Sequence, residues 1–205
     1  MRLPDPPLLL ITDRRQARLP LPDLAAAVFE AGCRWLSLRE KDMAPVERRT
    51  LLQELVTLGA AYGATVGVHD DPEAAALTGA GALHLPAGGS PLAARDRIDG
   101  DILIGVSAHD LNEVVQAERA GADYVSWSPV FKSLSKPGYG KGGQLGELAR
   151  IVERTRLPVV ALGGIHAGNA ADCLRAGAAG VAVMGAVMAA ERPAETVSRL
   201  LDSFG

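Results

Sequence analysis

The chain has 205 residues, enough to bury one sizeable core. Hydrophobic residues at 48% and charged residues at 22% argue against disorder, and 21 basic against 24 acidic residues leave no excess charge to neutralise a nucleic-acid backbone. Cys33 and Cys173 lie outside any CxxC pair, which argues against a disulfide framework and a structural zinc site.

Leu3-Pro4-Asp5-Pro6-Pro7 interrupts any signal-peptide core. The longest apolar stretch, Ala176 to Ala190, is short of a membrane span and broken by glycines. A cytoplasmic protein without membrane or nucleic-acid partners is therefore expected.

Leu8-Leu9-Leu10-Ile11 is the first short apolar run, and Pro22-Asp23 then opens a helix reaching Glu30. Trp35-Leu36-Ser37-Leu38 precedes a helix from Pro45 through Leu58. Thr65-Val66-Gly67-Val68 precedes a helix opened by Pro72-Glu73, and Ala82-Leu83-His84-Leu85 one opened by Pro91. Ile102 to Val106 is a fifth strand, followed by Leu111 to Arg119 with Asp110 as its cap. Tyr124-Val125-Ser126-Trp127 and Val159-Val160-Ala161-Leu162 are the sixth and seventh strands. Asn169 is placed to cap a helix ending at Arg175, Gly180 to Met184 is the eighth strand, and Pro193 starts the last helix.

A small repeat supports this register. Ala31-Gly32-Cys33, Gly79-Ala80-Gly81, Ala120-Gly121-Ala122 and Ala176-Gly177-Ala178 each stand just before a strand, where glycine ends a helix at little cost. Eight βα units predict an α/β protein, a single (β/α)8 TIM barrel spanning 1–205. A doubly wound open sheet is the alternative. In a barrel the active site lies at the C-terminal strand ends, so the residues after each run carry the functional information.

Those ends are rich in polar groups and glycine. Arg39, Lys41 and Lys136 are candidate ligands for an anion, since guanidinium clasps phosphate in two bonds and lysine adds a point charge. The alternative for Arg39 and Lys41 is a surface cluster paired with Glu40 and Asp42. Gly163-Gly164 and Gly185 follow the last two strands, where backbone N–H groups hold phosphate in many barrels. His109, two residues after Ser107, is a candidate proton carrier. His69 and His84 are placed to line the pocket, and His166 to sit on the surface. Asp70 is a candidate ligand for magnesium, and Asp71, before Pro72, a candidate helix cap. Gly138 to Gly143 matches GxGxxG but neither opens the first βα unit nor has an acidic ribose partner. It is read as a loop that closes over the sixth strand end.

The run Leu10-Ile11-Thr12-Asp13, Leu38-Arg39-Glu40-Lys41, Ile104 to His109, Gly121 to Val125, Pro129-Val130-Phe131 with Ser135-Lys136, and Pro158 to Ile165 resembles the thiamine phosphate synthase/TenI superfamily. The resemblance covers nearly the whole chain in order. It implies a TIM barrel and one of two activities. The synthase joins hydroxymethylpyrimidine pyrophosphate to a thiazole phosphate with Mg2+. The TenI-type tautomerase aromatises a thiazole carboxylate phosphate by moving a proton.

By this resemblance Arg39, Lys41, Ser107 and Lys136 match the pyrophosphate site, and Gly163, Gly164, Met184 and Gly185 match the thiazole-phosphate site. His109 aligns with the tautomerase acid/base. Ser37 stands where the synthase has a pyrimidine-binding glutamine, His69-Asp70 where it has Asn-Asp, and Gly89 where it has a second magnesium carboxylate. Leu85-Pro86-Ala87-Gly88 is similar to a TenI segment. These departures point first to an isomerase, a thiazole tautomerase needing no cofactor and using His109. They point second to a magnesium-dependent synthase and third to a non-catalytic phosphate-binding regulator. The expected partner is a thiazole phosphate, and a homodimer is one expected assembly.

Overall fold

The computed structural model describes residues 2–132 and 144–205. Eight parallel strands close into a barrel in sequence order: β1 (Leu8–Ile11), β2 (Trp35–Leu38), β3 (Thr65–His69), β4 (Ala82–Leu85), β5 (Leu103–Ala108), β6 (Tyr124–Trp127), β7 (Val159–Leu162) and β8 (Gly180–Val183). The ring closes through Leu9 of β1 opposite Ala182 of β8. The helices between them are α1 (Leu21–Glu30), α2 (Pro45–Ala60), α3 (Pro72–Thr78), α4 (Pro91–Arg95), α5 (Leu111–Arg119), α6 (Leu145–Arg154) and α7 (Ala170–Arg175). The short α8 (Gly185–Met188) and then α9 (Pro193–Leu201) follow β8. The open-sheet alternative is thereby excluded.

The strands lack polar alternation because both faces are buried. Their outward side chains, such as Leu8, Leu36, Val68 and Leu83, pack with Leu24, Val28, Phe29, Leu52 and Leu55 of α1 and α2. Leu9, Ile11, Trp35, Ala82, Leu103, Tyr124, Val160 and Ala182 fill the barrel. This apolar plug forms the floor of the site, and the polar residues begin one layer higher.

Gly105 shows how tightly that floor is fitted. A Cβ there would lie 2.0 Å from Cζ of the fully buried Tyr124. Gly105→Ala is expected to displace the Tyr124 ring and destabilise the protein by about 2 kcal/mol, seen as a lower urea midpoint. An unchanged midpoint would show that the floor relaxes freely.

The sequence expectations need four adjustments. β5 begins at Leu103 and extends past Val106 to Ala108, because Ser107 and Ala108 pair with Ser126 and Trp127. The side chain of Asn169 does not cap α7; its Oδ1 accepts from His166 N and its Nδ2 donates to Gly164 O, tying the β7–α7 turn together. Helix α6 opens at Gln144 without a side-chain cap, so it left no start signal. Helix α8 is a single turn beginning at a glycine. The repeated glycines end their helices as expected, with φ of 102° at Gly32, 65° at Gly79, 79° at Gly121 and 94° at Gly177. Among the described residues no helix is long and apolar enough to cross a membrane.

Candidate active site

The ends of β1, β2 and β3 build the most polar corner of the barrel mouth. Glu40, just past β2, is 2% exposed, and its carboxylate turns inward. Its Oε1 accepts from Thr12 Oγ1 at 2.7 Å and from Arg14 N at 3.0 Å, and its Oε2 accepts from Arg14 Nη1 at 3.0 Å. Arg14 also reaches both carboxylate oxygens of Asp42, at 2.9 and 3.1 Å. Thr12 Oγ1 in turn accepts from Arg39 N at 2.9 Å. Glu40 and Asp42 are therefore committed to Arg14, not to Arg39 and Lys41. Those two cations form no ion pair among the described residues.

Arg39 and Lys41 line a cavity of about 230 Å³ with Glu40, Arg48, His69 and Asp70. Glu40→Ala would leave the hydrogen-bonding groups of Thr12 and Arg14 without their shared acceptor. A stability loss of about 2 kcal/mol is expected by urea denaturation, against under about 1 kcal/mol for Asp42→Ala at the exposed end. Equal losses would show that the buried carboxylate does not organise this turn.

Asp70 follows β3 with φ of 52°, the single non-glycine residue with positive φ among the described residues. Its N–H donates to His84 O at 2.9 Å, and its exposed carboxylate has no hydrogen-bond or ion-pair partner among the described residues. The next residue is fully engaged: Asp71 caps α3 through Ala74 N at 2.9 Å and pairs with Arg48. The two carboxylates thus divide as the sequence allowed, Asp71 to the helix and Asp70 to the cavity.

Below this rim lies a buried polar layer. Ser37 Oγ is 2.8 Å from His69 Nδ1. The His69 and His84 rings lie 4.6 Å apart, on residues paired across β3 and β4. His84 Nδ1 is 2.9 Å from the Tyr124 hydroxyl, and its Nε2 is 2.9 Å from Ser107 Oγ and 3.1 Å from Ser126 Oγ. Burial pushes the His84 ring down to about 4, with the Arg39 charge adding to it. Burial, then His84, Arg39 and Lys41, likewise hold His69 well below the usual histidine range. Both imidazoles are neutral at pH 7.

The other expected site residues lie elsewhere around the mouth. His109 is exposed at the end of β5, with Nδ1 2.9 Å from Ser128 O and its backbone N–H donating to Glu113 at 2.6 Å. Gly163 and Gly164 have φ of 102° and 64°. A Cβ at Gly164 would lie 2.5 Å from Lys132 O, so the close approach of the 129–132 segment also requires glycine here. Met184 precedes α8 and Gly185 opens it. None of these lines the Arg39–Asp70 cavity. His166 is exposed, as expected. Lys136 and the 138–143 loop lie outside the described residues. A wider groove of about 1090 Å³ lies outside the barrel among α1, α2 and α3, away from the strand ends.

Among the described residues no three His, Cys, Asp or Glu side chains are grouped to hold a metal ion. Magnesium does not need such a cage. It takes one or two carboxylates and completes its shell with substrate phosphate oxygens and water. Asp70, with an uncommitted carboxylate beside two cations, fits that mode. A second acid at Gly89 does not, because a Cβ there would lie 2.8 Å from Leu85 Cβ and 3.0 Å from Pro86 O.

Sequence reasoning missed the Thr12–Glu40–Arg14 clasp, Arg48 and the Tyr124–His84–Ser126 contacts. Thr12 and Arg14 stood at a strand end and were detectable there. Tyr124 and Ser126 looked like ordinary strand residues, and only barrel closure brings them to His84.

The family model described as thiamine monophosphate synthase matches residues 8–187. A thiamine-phosphate synthase of Chloroflexus aurantiacus is 38% identical over 169 residues, covering 80% of this chain and 78% of its own. One from Roseiflexus sp. is 37% identical over 194 residues, covering 94% and 82%. The solved thiamine phosphate pyrophosphorylase from Pyrococcus furiosus superposes with a TM-score of 0.85 at 32% identity, covering 96% of this chain and 94% of that one. These names overturn the isomerase expectation, and the ring-proton role of His109 goes with it. The error was to weigh Ser37 and Gly89 as losses of function while Arg39, Lys41 and Asp70 were all in place. Over nearly its whole length, the chain belongs to the TMP-TENI family of thiamine monophosphate synthase.

Proposed function

We propose that this chain is a thiamine-phosphate synthase, a transferase that joins hydroxymethylpyrimidine pyrophosphate to thiazole phosphate and releases pyrophosphate. The observation that carries this reading is the pairing of Arg39 and Lys41 with the uncommitted Asp70 carboxylate in one cavity. The thiazole nitrogen forms a bond to the pyrimidine methylene carbon as the bond from that carbon to the pyrophosphate oxygen breaks. Negative charge grows on the departing pyrophosphate. Arg39 and Lys41 are the fixed cations that meet it, since Glu40 and Asp42 are already held by Arg14. Asp70 would be the protein ligand of Mg2+, which when bound supplies further neutralisation of the pyrophosphate. The neutral His69 and His84 leave the charge of this corner to the cations. Gly163, Gly164, Met184 and Gly185 are the residues proposed to hold the thiazole phosphate, and Ser107 and Lys136 to contact pyrophosphate.

The test supplies purified protein with hydroxymethylpyrimidine pyrophosphate and thiazole phosphate, with and without Mg2+. The expected result is thiamine phosphate and pyrophosphate in equal amounts, with formation dependent on Mg2+. Absence of thiamine phosphate with both substrates and Mg2+ present would overturn the reading.

A further inference from the structure

We propose that the buried Tyr124–His84 pair acts as a positioning device that holds Ser107, at the C-terminal end of β5, as a hydroxyl donor for a pyrophosphate oxygen. This rests on the synthase reading for the ligand, but its geometry stands apart. Tyr124 is fully buried, and its hydroxyl meets His84 Nδ1 at 2.9 Å. His84 Nε2 faces two serine hydroxyls, Ser107 at 2.9 Å and Ser126 at 3.1 Å. A neutral imidazole has one N–H and one lone pair, so these contacts cannot be satisfied in both directions at once.

The choice of tautomer follows from the partners. If Nδ1 carried the proton, it would donate to the phenol oxygen, and the Tyr124 O–H would be left without its one observed partner. A phenol is a better donor and a poorer acceptor than an aliphatic hydroxyl, so the lower-energy arrangement has Tyr124 O–H donating to Nδ1. Nε2 then carries the proton and donates to the serines. Ser107 Oγ accepts from below, and its own O–H is left to point upward. In the opposite tautomer the Nε2 lone pair would draw the serine protons down into the barrel. Ser107 is half-buried at the end of β5 whereas Ser126 is 1% exposed, so Ser107 is the hydroxyl of the two that can reach a ligand. Gly105 keeps the tyrosine in place, since any side chain there would overlap its ring.

The proposal predicts coupling between two residues that do not share a ligand contact. Binding of inorganic pyrophosphate with Mg2+ would be measured by calorimetry for wild type, Ser107→Ala, Tyr124→Phe and the double variant. Ser107→Ala is expected to weaken binding about tenfold, the worth of one hydrogen bond to a charged group. Tyr124→Phe should weaken it several-fold in the wild-type background and leave it unchanged in the Ser107→Ala background. An equal loss in both backgrounds would assign Tyr124 a purely structural role and overturn the relay. No loss with Ser107 intact would do the same. Nitrogen NMR of histidine-labelled wild type, without any ligand, reads the tautomer directly. A proton on His84 Nε2 is expected, and one on Nδ1 overturns the proposal whether or not the protein makes thiamine phosphate.

Discussion

Asp70→Asn is expected to lower kcat/KM for thiamine phosphate formation at least about 100-fold, because it removes the single uncommitted carboxylate of the cavity. The expectation is sharpened by the backbone. A φ of 52° is uncommon for a residue bearing a side chain, and such conformations persist where surrounding contacts hold them. Here the Asp70 N–H is fixed to His84 O, and the next residue is locked by α3 and Arg48. Asp70→Gly suits the same φ without a side chain. That variant should keep the wild-type urea midpoint and lose activity as Asp70→Asn does. Function and local stability would then part company at one position. Magnesium-dependent turnover at the wild-type level in Asp70→Asn would remove Asp70 from the site.

The barrel was legible because its signals are local. Apolar runs of four or five residues recur eight times, with helix-opening prolines and the glycine repeat between many of them, and each can be read without knowing its neighbours. Asp71 as a cap and Asp70 as the cavity residue were separable for the same reason, since Pro72 marks the helix start. The site was legible only as far as strand ends reach. Arg39 and Lys41 follow β2, His69 ends β3 and Asp70 follows it, and the cavity brings them together. The charges around them were harder. Sequence proximity suggests Glu40 and Asp42 as partners of Arg39 and Lys41, yet both turn to Arg14, 26 and 28 residues away along the chain. Such pairings depend on how β1 and β2 sit side by side, which no local pattern encodes. The choice between isomerase and transferase failed on a related point. Ser37 and Gly89 were counted as missing contacts, but each is engaged in its surroundings. Ser37 meets His69, and Gly89 closes a turn onto Pro86 O at 3.0 Å.

Acid is expected to weaken the fold well above the pH at which ordinary carboxylates titrate, through His84 and its neighbour His69. In an unfolded chain a histidine titrates near 6.5. In the folded barrel His84 is held at about 4, first by burial and then by Arg39, and His69 is shifted in the same direction. Above pH 6.5 both states are neutral and the full stability is present. Below it the unfolded chain takes up protons that the folded chain refuses, so stability falls as pH falls toward 4. Held at about 4, His84 contributes a slope of about 1.4 kcal/mol per pH unit in that window, about 2 kcal/mol lost by pH 5, and His69 adds to the loss in the same direction. The measurement is the urea midpoint between pH 7.5 and 5, for wild type and for His84→Gln. Wild type should lose stability steeply, whereas the variant should show a shallower slope that is not zero, because His69 remains. A wild-type midpoint that stays flat would mean that one or both imidazoles carry a proton in the folded state. A proton on His84 would leave its Nδ1 unable to accept from Tyr124, and a proton on either ring would make the floor beneath Arg39 and Lys41 cationic. The same burial that makes the pair sensitive to acid during unfolding keeps it neutral and fixed in the folded protein near pH 7, where the cations above it must meet an anionic substrate.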